Sequence, residues 1–168
     1  MIKFQFQKLP RMPNEKKKHR LFEYVATHIR EQVEIPAYVV NLDRVARLPT
    51  SAKTVYWLWR FQCEAGICGM DKFVLDHLGI YSPQIHAALK AVGATELVQL
   101  LEEAIPLARN GPAEFKRLPD QSWFKQFPLT GRFAELHLIN KPTFALENEL
   151  SNIVAGFIDL NKAELFEK

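Results

Sequence analysis

Five histidines (His19, His28, His77, His86 and His137) and two cysteines (Cys63 and Cys68) are the side chains best suited to bind a metal or move a proton. No pair of the histidines has the H-E-x-x-H spacing that sets two imidazoles on one helical face. Cys63 and Cys68 stand five apart, and a lone C-x4-C pair lacks the second pair of ligands that a structural zinc requires. Two cysteines are also too few for a disulfide framework, so both are expected to be ordinary buried thiols. Asp71, Asp76 and His77 form the densest acid–base group, and a hydrolase built on them is the enzymatic alternative. On a helix, however, Asp76 and His77 diverge by about 100° and Asp71 shares no clean face with His77. Charges near a helix end explain the group as well. Gly66 and Gly69 lack the Lys–Ser/Thr pair that would follow in a phosphate cradle, and G-x-S-x-G and G-x-G-x-x-G are absent. A tight helix–helix turn is the better reading of these glycines. The expectation is a protein that is not an enzyme and holds no cofactor and no metal.

Charge is distributed unevenly. Of 22 basic and 19 acidic residues, seven and one fall within residues 1–20, which leaves 15 and 18 for the rest. A mildly acidic body at −3 therefore follows an N-terminal segment at +6. The run Lys16, Lys17, Lys18, His19, Arg20 is suited to an acidic partner, or else is the solvated start of a helix. Direct nucleic-acid binding is not expected. A helix-turn-helix over 70–93 would offer Lys90 as the one basic group of its second helix, too little for phosphate contacts.

These residues need a scaffold, and the hydrophobic pattern describes one. With 48% apolar and 24% charged residues over 168 positions, the chain suits one core; a domain of this size buries roughly 70% of its unfolded surface. A single domain over residues 1–168 is expected. No apolar run reaches the length of about 20 residues that a membrane span needs, and the N-terminus lacks a signal-peptide core, so a cytoplasmic protein is expected. Ile2, Phe4 and Phe6 alternate with polar residues at period two, as does the stretch 133–139 (FAELHLI). The two offer a short two-stranded β element; otherwise residues 1–13 form an extended arm.

Elsewhere the period is helical. Leu21, Val25, Ile29 and Val33 recur every fourth residue after a cap at Asn14, and Pro36 ends the run. A helix from Thr50 or Ser51 carries apolar residues around most of its circumference and predicts the buried centre of the fold, with Gly66 stopping it in a left-handed conformation. A short helix follows from Met70 to Leu78. Ser82 with Pro83 starts another that Gly93 closes. A helix over Leu97–Ile105 is kinked or ended by Pro106. Residues 110–121 read as loop, Trp123, Phe124 and Phe127 as a turn or two of helix, and Leu146, Leu150, Ile153, Phe157 and Leu160 as the inner face of a C-terminal helix from about Thr143. The fold class is all-α, a single-domain helical bundle.

The stretch from about Ser51 to Ala108 resembles the core of a bacterial family named for a DNA-mimic protein, a domain of unknown function. The carrying residues are the hydrophobic helix ending at Glu64, then Gly69-Met70-Asp71-x-Phe73, Gly79-Ile80-Tyr81-Ser82-Pro83, Ala88-Leu89-x-x-Val92-Gly93-Ala94 and the Leu97–Ala104 helix. Where family members place an Asn-Asn-Gly-Gly turn, this chain reads Gly66-Ile67-Cys68-Gly69; Lys72 stands where Gln is usual and Asp76 where Asn is usual. The resemblance implies an all-α domain without enzymatic activity. Related sequences also resemble the small immunity proteins that accompany bacterial toxins.

A DNA mimic presents carboxylates at the density of phosphates, about one charge per 1.7 Å of duplex axis. A body at −3 behind a segment at +6 does not do so as a whole. The leading expectation is therefore an immunity-type inhibitor that binds a cognate toxin or enzyme, with Lys16, Lys17, Lys18, Arg20, Ile67, Lys72 and Asp76 as candidate contacts. The alternative is a DNA-mimic-type regulator of a nucleic-acid-binding protein. That reading needs an acidic face, with Glu96, Glu102, Glu103, Glu147 and Glu149 as its sources.

Overall fold

Apolar residues at spacings of three and four become helices wherever the structure is described. The computed structural model describes residues 14–35, 39–66, 69–75, 81–109, 133–139 and 146–166. In order these form α1 (Asn14–Val33), β1 (Glu34–Ile35), β2 (Val39–Val40), α2 (Leu42–Ala46), α3 (Thr50–Phe61), a π turn (Gln62–Gly66), α4 (Met70–Leu75), α5 (Ser82–Ala91), α6 (Thr95–Arg109), a 3-10 helix (Phe133–Ile139), α7 (Glu147–Leu160) and α8 (Lys162–Leu165). The fold is all-α, with one small hairpin. The chain gathers into two compact units, Met1–Trp59 with Asn148–Lys168, and Arg60–Glu147.

In the first unit the α1 stripe is buried at Leu21, Val25, Ile29 and Val33, widened by Phe22 and Ala26. The chain then leaves helical geometry, and Glu34 and Ile35 pair antiparallel with Val40 and Val39. This hairpin has no alternating signature in the sequence, because two residues per strand are too few to show one. Asn41 caps α2 by accepting the Arg44 N–H at 3.1 Å. In α3 the buried set Ser51, Ala52, Thr54, Val55, Tyr56, Trp57 and Leu58 leaves little polar circumference, as the sequence predicts for a central helix. The fully buried Tyr56 keeps its hydroxyl satisfied by donating to Glu34 Oε1 at 3.1 Å.

α7 differs in detail from its expected face. Leu150, Val154, Ala155 and Ile158 are buried, whereas Ile153 and Phe157 are half-buried and Leu160 is 88% exposed. The helix is apolar on two adjacent faces, and the inward one is turned by about one residue from the stripe read by spacing.

The second unit is built on α6, which packs against α4, α5 and the 3-10 helix. Phe61 and Phe73 meet edge to face, their centroids 5.4 Å apart at 87°. Three local expectations are corrected here. Residues 133–139 are not a strand: Leu136 and Ile139 are buried at spacing three and Leu138 is 63% exposed, the period of a 3-10 turn. The left-handed residue after α3 is Gly69, at φ 96°, while Gly66 closes the π turn. Ser82 is not a cap, because Tyr81 takes that position and the Ser82 side chain is buried inside the first turn.

Pro106 does not end α6, which continues to Arg109; it withholds an N–H from the Glu102 carbonyl one turn back. Gly93 closes α5 as expected, at φ 74°, with Ala94 N–H donating to Leu89 C=O at 3.0 Å. The expected partner strand at residues 2–8, the loop at 110–121 and the aromatic turn at Trp123–Phe127 lie outside the described residues.

Candidate functional site

The two units carry different polar constellations. In the second, α6 turns one side to solvent at Glu96, Gln99 and Glu103, with Glu102 beside them half-buried. The remainder of α6 is apolar and buried at Leu97, Val98, Leu101, Ala104 and Ile105, which fixes the direction of the acidic side. Glu102 does not point freely outward. His86, on α5, reaches it through Nε2 at 2.6 Å, and Lys90 Nζ lies 3.7 Å from the same oxygen. A carboxylate oxygen accepts, so Nε2 carries the proton.

The surroundings of His86 are well covered, with 10% of its side chain exposed against 38% for Glu102. The pair thus ties α5 to α6 and leaves Glu96 and Glu103 as the outward charges. Nearby in sequence, burial pushes the Tyr81 phenol above its ordinary value, and the Arg60 guanidinium partly offsets this.

In the first unit, α1 presents a polar side along much of its length. Arg20, Glu23, Tyr24, His28 and Arg30, together with Trp59 of α3, line an open groove of about 630 Å³. The Arg30 guanidinium lies over the Trp59 ring, 5.4 Å from its centroid. His28 Nδ1 donates to the Tyr24 carbonyl at 2.9 Å, and the two rings sit 4.2 Å apart.

At the edge of this groove His19 stands between two groups, with Nδ1 3.2 Å from Ser151 Oγ and Nε2 3.2 Å from Glu23 Oε1. A histidine between a carboxylate and a serine hydroxyl has the order of a nucleophilic relay. Ser151 is 3% exposed on the inner side of α7, so a substrate carbonyl has no approach to its oxygen. The arrangement works as a tie between α1 and α7. It spans 132 residues of sequence, and no local spacing signals it.

The candidate contacts read from sequence are distributed as follows. Lys16, Lys17, Lys18 and Arg20 all stand on the first two turns of α1, with Lys18 and Arg20 exposed. Lys72 is exposed on α4, and its N–H donates to Asp71 Oδ1 at 2.7 Å. The basic run belongs to the first unit and Lys72 to the second. Ile67 and Asp76 lie outside the described residues, as do His77 and Cys68, while Cys63 is half-buried rather than buried. Among the acidic sources, Glu96, Glu102 and Glu103 share α6, and Glu149 is exposed on α7.

The groove on α1 has no signal in the sequence, because spacing places Trp59 with the buried ring of α3. Among the described residues no group of three or more His, Cys, Asp or Glu is placed to hold a metal ion. No helix among them is long and apolar enough to cross a membrane.

Comparison with known proteins extends the resemblance of residues 51–108. No curated protein and no solved structure matches the chain. A family model described as DMP19-like protein matches residues 46–161, well over half of the 168 residues, from the end of α2 to the turn after α7. On that match, the chain belongs to the DMP19-like family.

Proposed function

We propose that this chain is a protein-binding regulator without a chemical step of its own, and that its partner is a nucleic-acid-binding protein held through the acidic side of α6. Membership in a family named for a DNA-mimic protein carries the reading. It favours the second of the two functions expected from sequence; the match contains nothing that speaks for a toxin as partner.

The charge geometry of α6 supports it locally, where the net charge of the whole chain does not. Glu96 and Glu103 are seven residues apart, about 10 Å along the axis at 1.5 Å per residue. One DNA strand carries about three charges over that length, at one per 3.4 Å. Glu96 and Glu103 supply two outward carboxylates over that length, and Glu102 beside them is held back by His86 and Lys90. A partner that binds phosphates through Lys and Arg would meet about two-thirds of that linear density on this helix.

The test is capture of partners by the tagged protein from a lysate of its native cells, in parallel with a Glu96→Lys/Glu103→Lys variant. The expected result is a nucleic-acid-binding protein that duplex DNA displaces, that rising salt releases, and that the double variant fails to retain. A captured protein indifferent to DNA and to the charge reversal overturns the proposal. An enzyme or toxin whose activity falls on adding this chain would instead establish the inhibitor reading.

A further inference from the structure

α7 keeps part of its apolar surface on the outside. Ile153, Gly156, Phe157 and Leu160, at i, i+3, i+4 and i+7, fall within about 100° of the helix circumference and make one narrow stripe. Val154, Ala155 and Ile158 are buried on the other side, as is Ser151 with its tie to His19. Leu160 is 88% exposed, and Ile153 and Phe157 are half-buried. A Cβ built at Gly156 meets no atom within 4 Å, so the middle of the stripe is an open notch between Ile153 and Leu160.

The unmatched charge around the stripe has one sign. Glu149 continues it one turn before Ile153, and Glu164 stands on α8, four residues past Leu160. Both glutamates are exposed, and neither holds an ion pair among the described residues. Asp159, by contrast, is matched by Lys162, whose Nζ lies 2.9 Å from Oδ1.

We infer that this stripe docks an amphipathic helix of a protein partner, one whose apolar side carries Lys or Arg a turn beyond each end. Ile153 and Leu160 are about 10 Å apart along the axis, two turns of a facing helix. The notch at Gly156 lets the two backbones approach closely and receives one large apolar side chain of the partner. Charge selects this occupant over two others. A second copy laid antiparallel, with Ile153 opposite Leu160, sets Glu149 opposite Glu164, and a parallel copy sets Glu149 opposite itself. Like charges so opposed repel. Anionic lipid headgroups meet the same repulsion. All of these residues belong to the first unit, and the inference is independent of the acidic side of α6.

The experiment uses the full chain and fluorescence anisotropy of a labelled helical peptide, cross-linked on its outer side to hold the helix. The peptide carries leucines at i, i+4 and i+7, with a lysine one turn beyond each end. One control has glutamates for the lysines, and a second keeps the composition but moves the leucines off one side.

Binding of the lysine-ended peptide in preference to both controls is expected. Leu160→Glu should weaken it about tenfold, and Glu149→Lys about threefold at low salt. Gly156→Leu should also weaken it about tenfold, because it fills the notch; a merely sticky stripe would instead gain from the added apolar surface. Leu160 and Gly156 face open solvent, so their replacement leaves the fold intact, as circular dichroism checks. No binding of the lysine-ended peptide, equal binding of the glutamate-ended one, indifference to Leu160→Glu, or a gain from Gly156→Leu would overturn the inference. Self-association of the chain in sedimentation, abolished by Leu160→Glu, would overturn it in favour of a second copy. Tighter binding to anionic vesicles than to the peptide would assign the stripe to a membrane surface.

Discussion

Replacing Glu102 with leucine separates its structural role from its place on the acidic side of α6. His86 Nε2 donates to Glu102 Oε1 at 2.6 Å, a short charge-assisted contact, and the histidine side chain is 10% exposed. A hydrogen bond to a charged group contributes about 1.5–3 kcal/mol. Glu102 is 38% exposed, so water screens the interaction, and the expected loss falls to about 1–2 kcal/mol. For a chain of this size that corresponds to a fall in Tm of about 4 °C.

The assay is urea denaturation followed by circular dichroism for Glu102→Leu, His86→Phe and the double variant. An unchanged denaturant slope would show that the unfolding transition itself is the same. The double variant should be less destabilised than the two single losses added together, because no buried polar group is left behind, giving a coupling of about 1 kcal/mol. A loss below about 0.3 kcal/mol in Glu102→Leu, or zero coupling, refutes this reasoning, since exposed ion pairs have such values. Glu102 would then be a third outward charge on α6, available to a partner.

Two further outcomes follow from the second unit. Tyr81 has a phenol raised by burial, so between its ordinary value near 10 and its higher folded value the native state binds more protons than the unfolded one. Stability from this group is full below pH 10 and falls as pH rises through the folded value; Tyr81→Phe should flatten that alkaline loss in a pH series of urea midpoints. Gly93 sits at φ 74° with no atom within 4 Å of an added Cβ. Gly93→Ala should therefore cost about 1 kcal/mol from backbone strain alone, and calorimetry giving a change below about 0.3 kcal/mol would contradict it.

Legibility in the sequence tracks the length and regularity of the signal. The α1 stripe, the buried centre at α3 and the Gly93 stop are readable because each rests on several residues at helical spacing, or on the one residue type that accepts a left-handed backbone without strain. The 133–139 stretch misleads because seven residues of mixed polarity fit period two and period three alike, and burial of Leu136 and Ile139 decides between them. The inward side of α7 is ambiguous for a related reason, its apolar residues being spread over two adjacent faces. Of the candidate contacts, exposure of Lys18, Arg20 and Lys72 follows from their chemistry. The His19 tie to Ser151 and the His86 tie to Glu102 depend on tertiary packing, which no local spacing encodes. The placement of Arg30 over Trp59 belongs with them.

The first unit takes its residues from both ends of the chain, while the second is one continuous segment, Arg60–Glu147. On a ribosome the second unit can assemble as soon as that segment emerges. The first must hold α1, α2 and most of α3 without their C-terminal complement until residues 148–168 are made. The apolar stripe of α1 is thus exposed longest during synthesis, and closing the intervening stretch raises the entropic cost by only about 0.6 kcal/mol per doubling of loop length. The vulnerable interval is set by elongation, at about 5–20 residues per second, more than by the equilibrium stability of the finished fold. A chain cut before α7 would keep the sequence of its acidic helix and lose Ser151, the far end of the tie that His19 makes from α1.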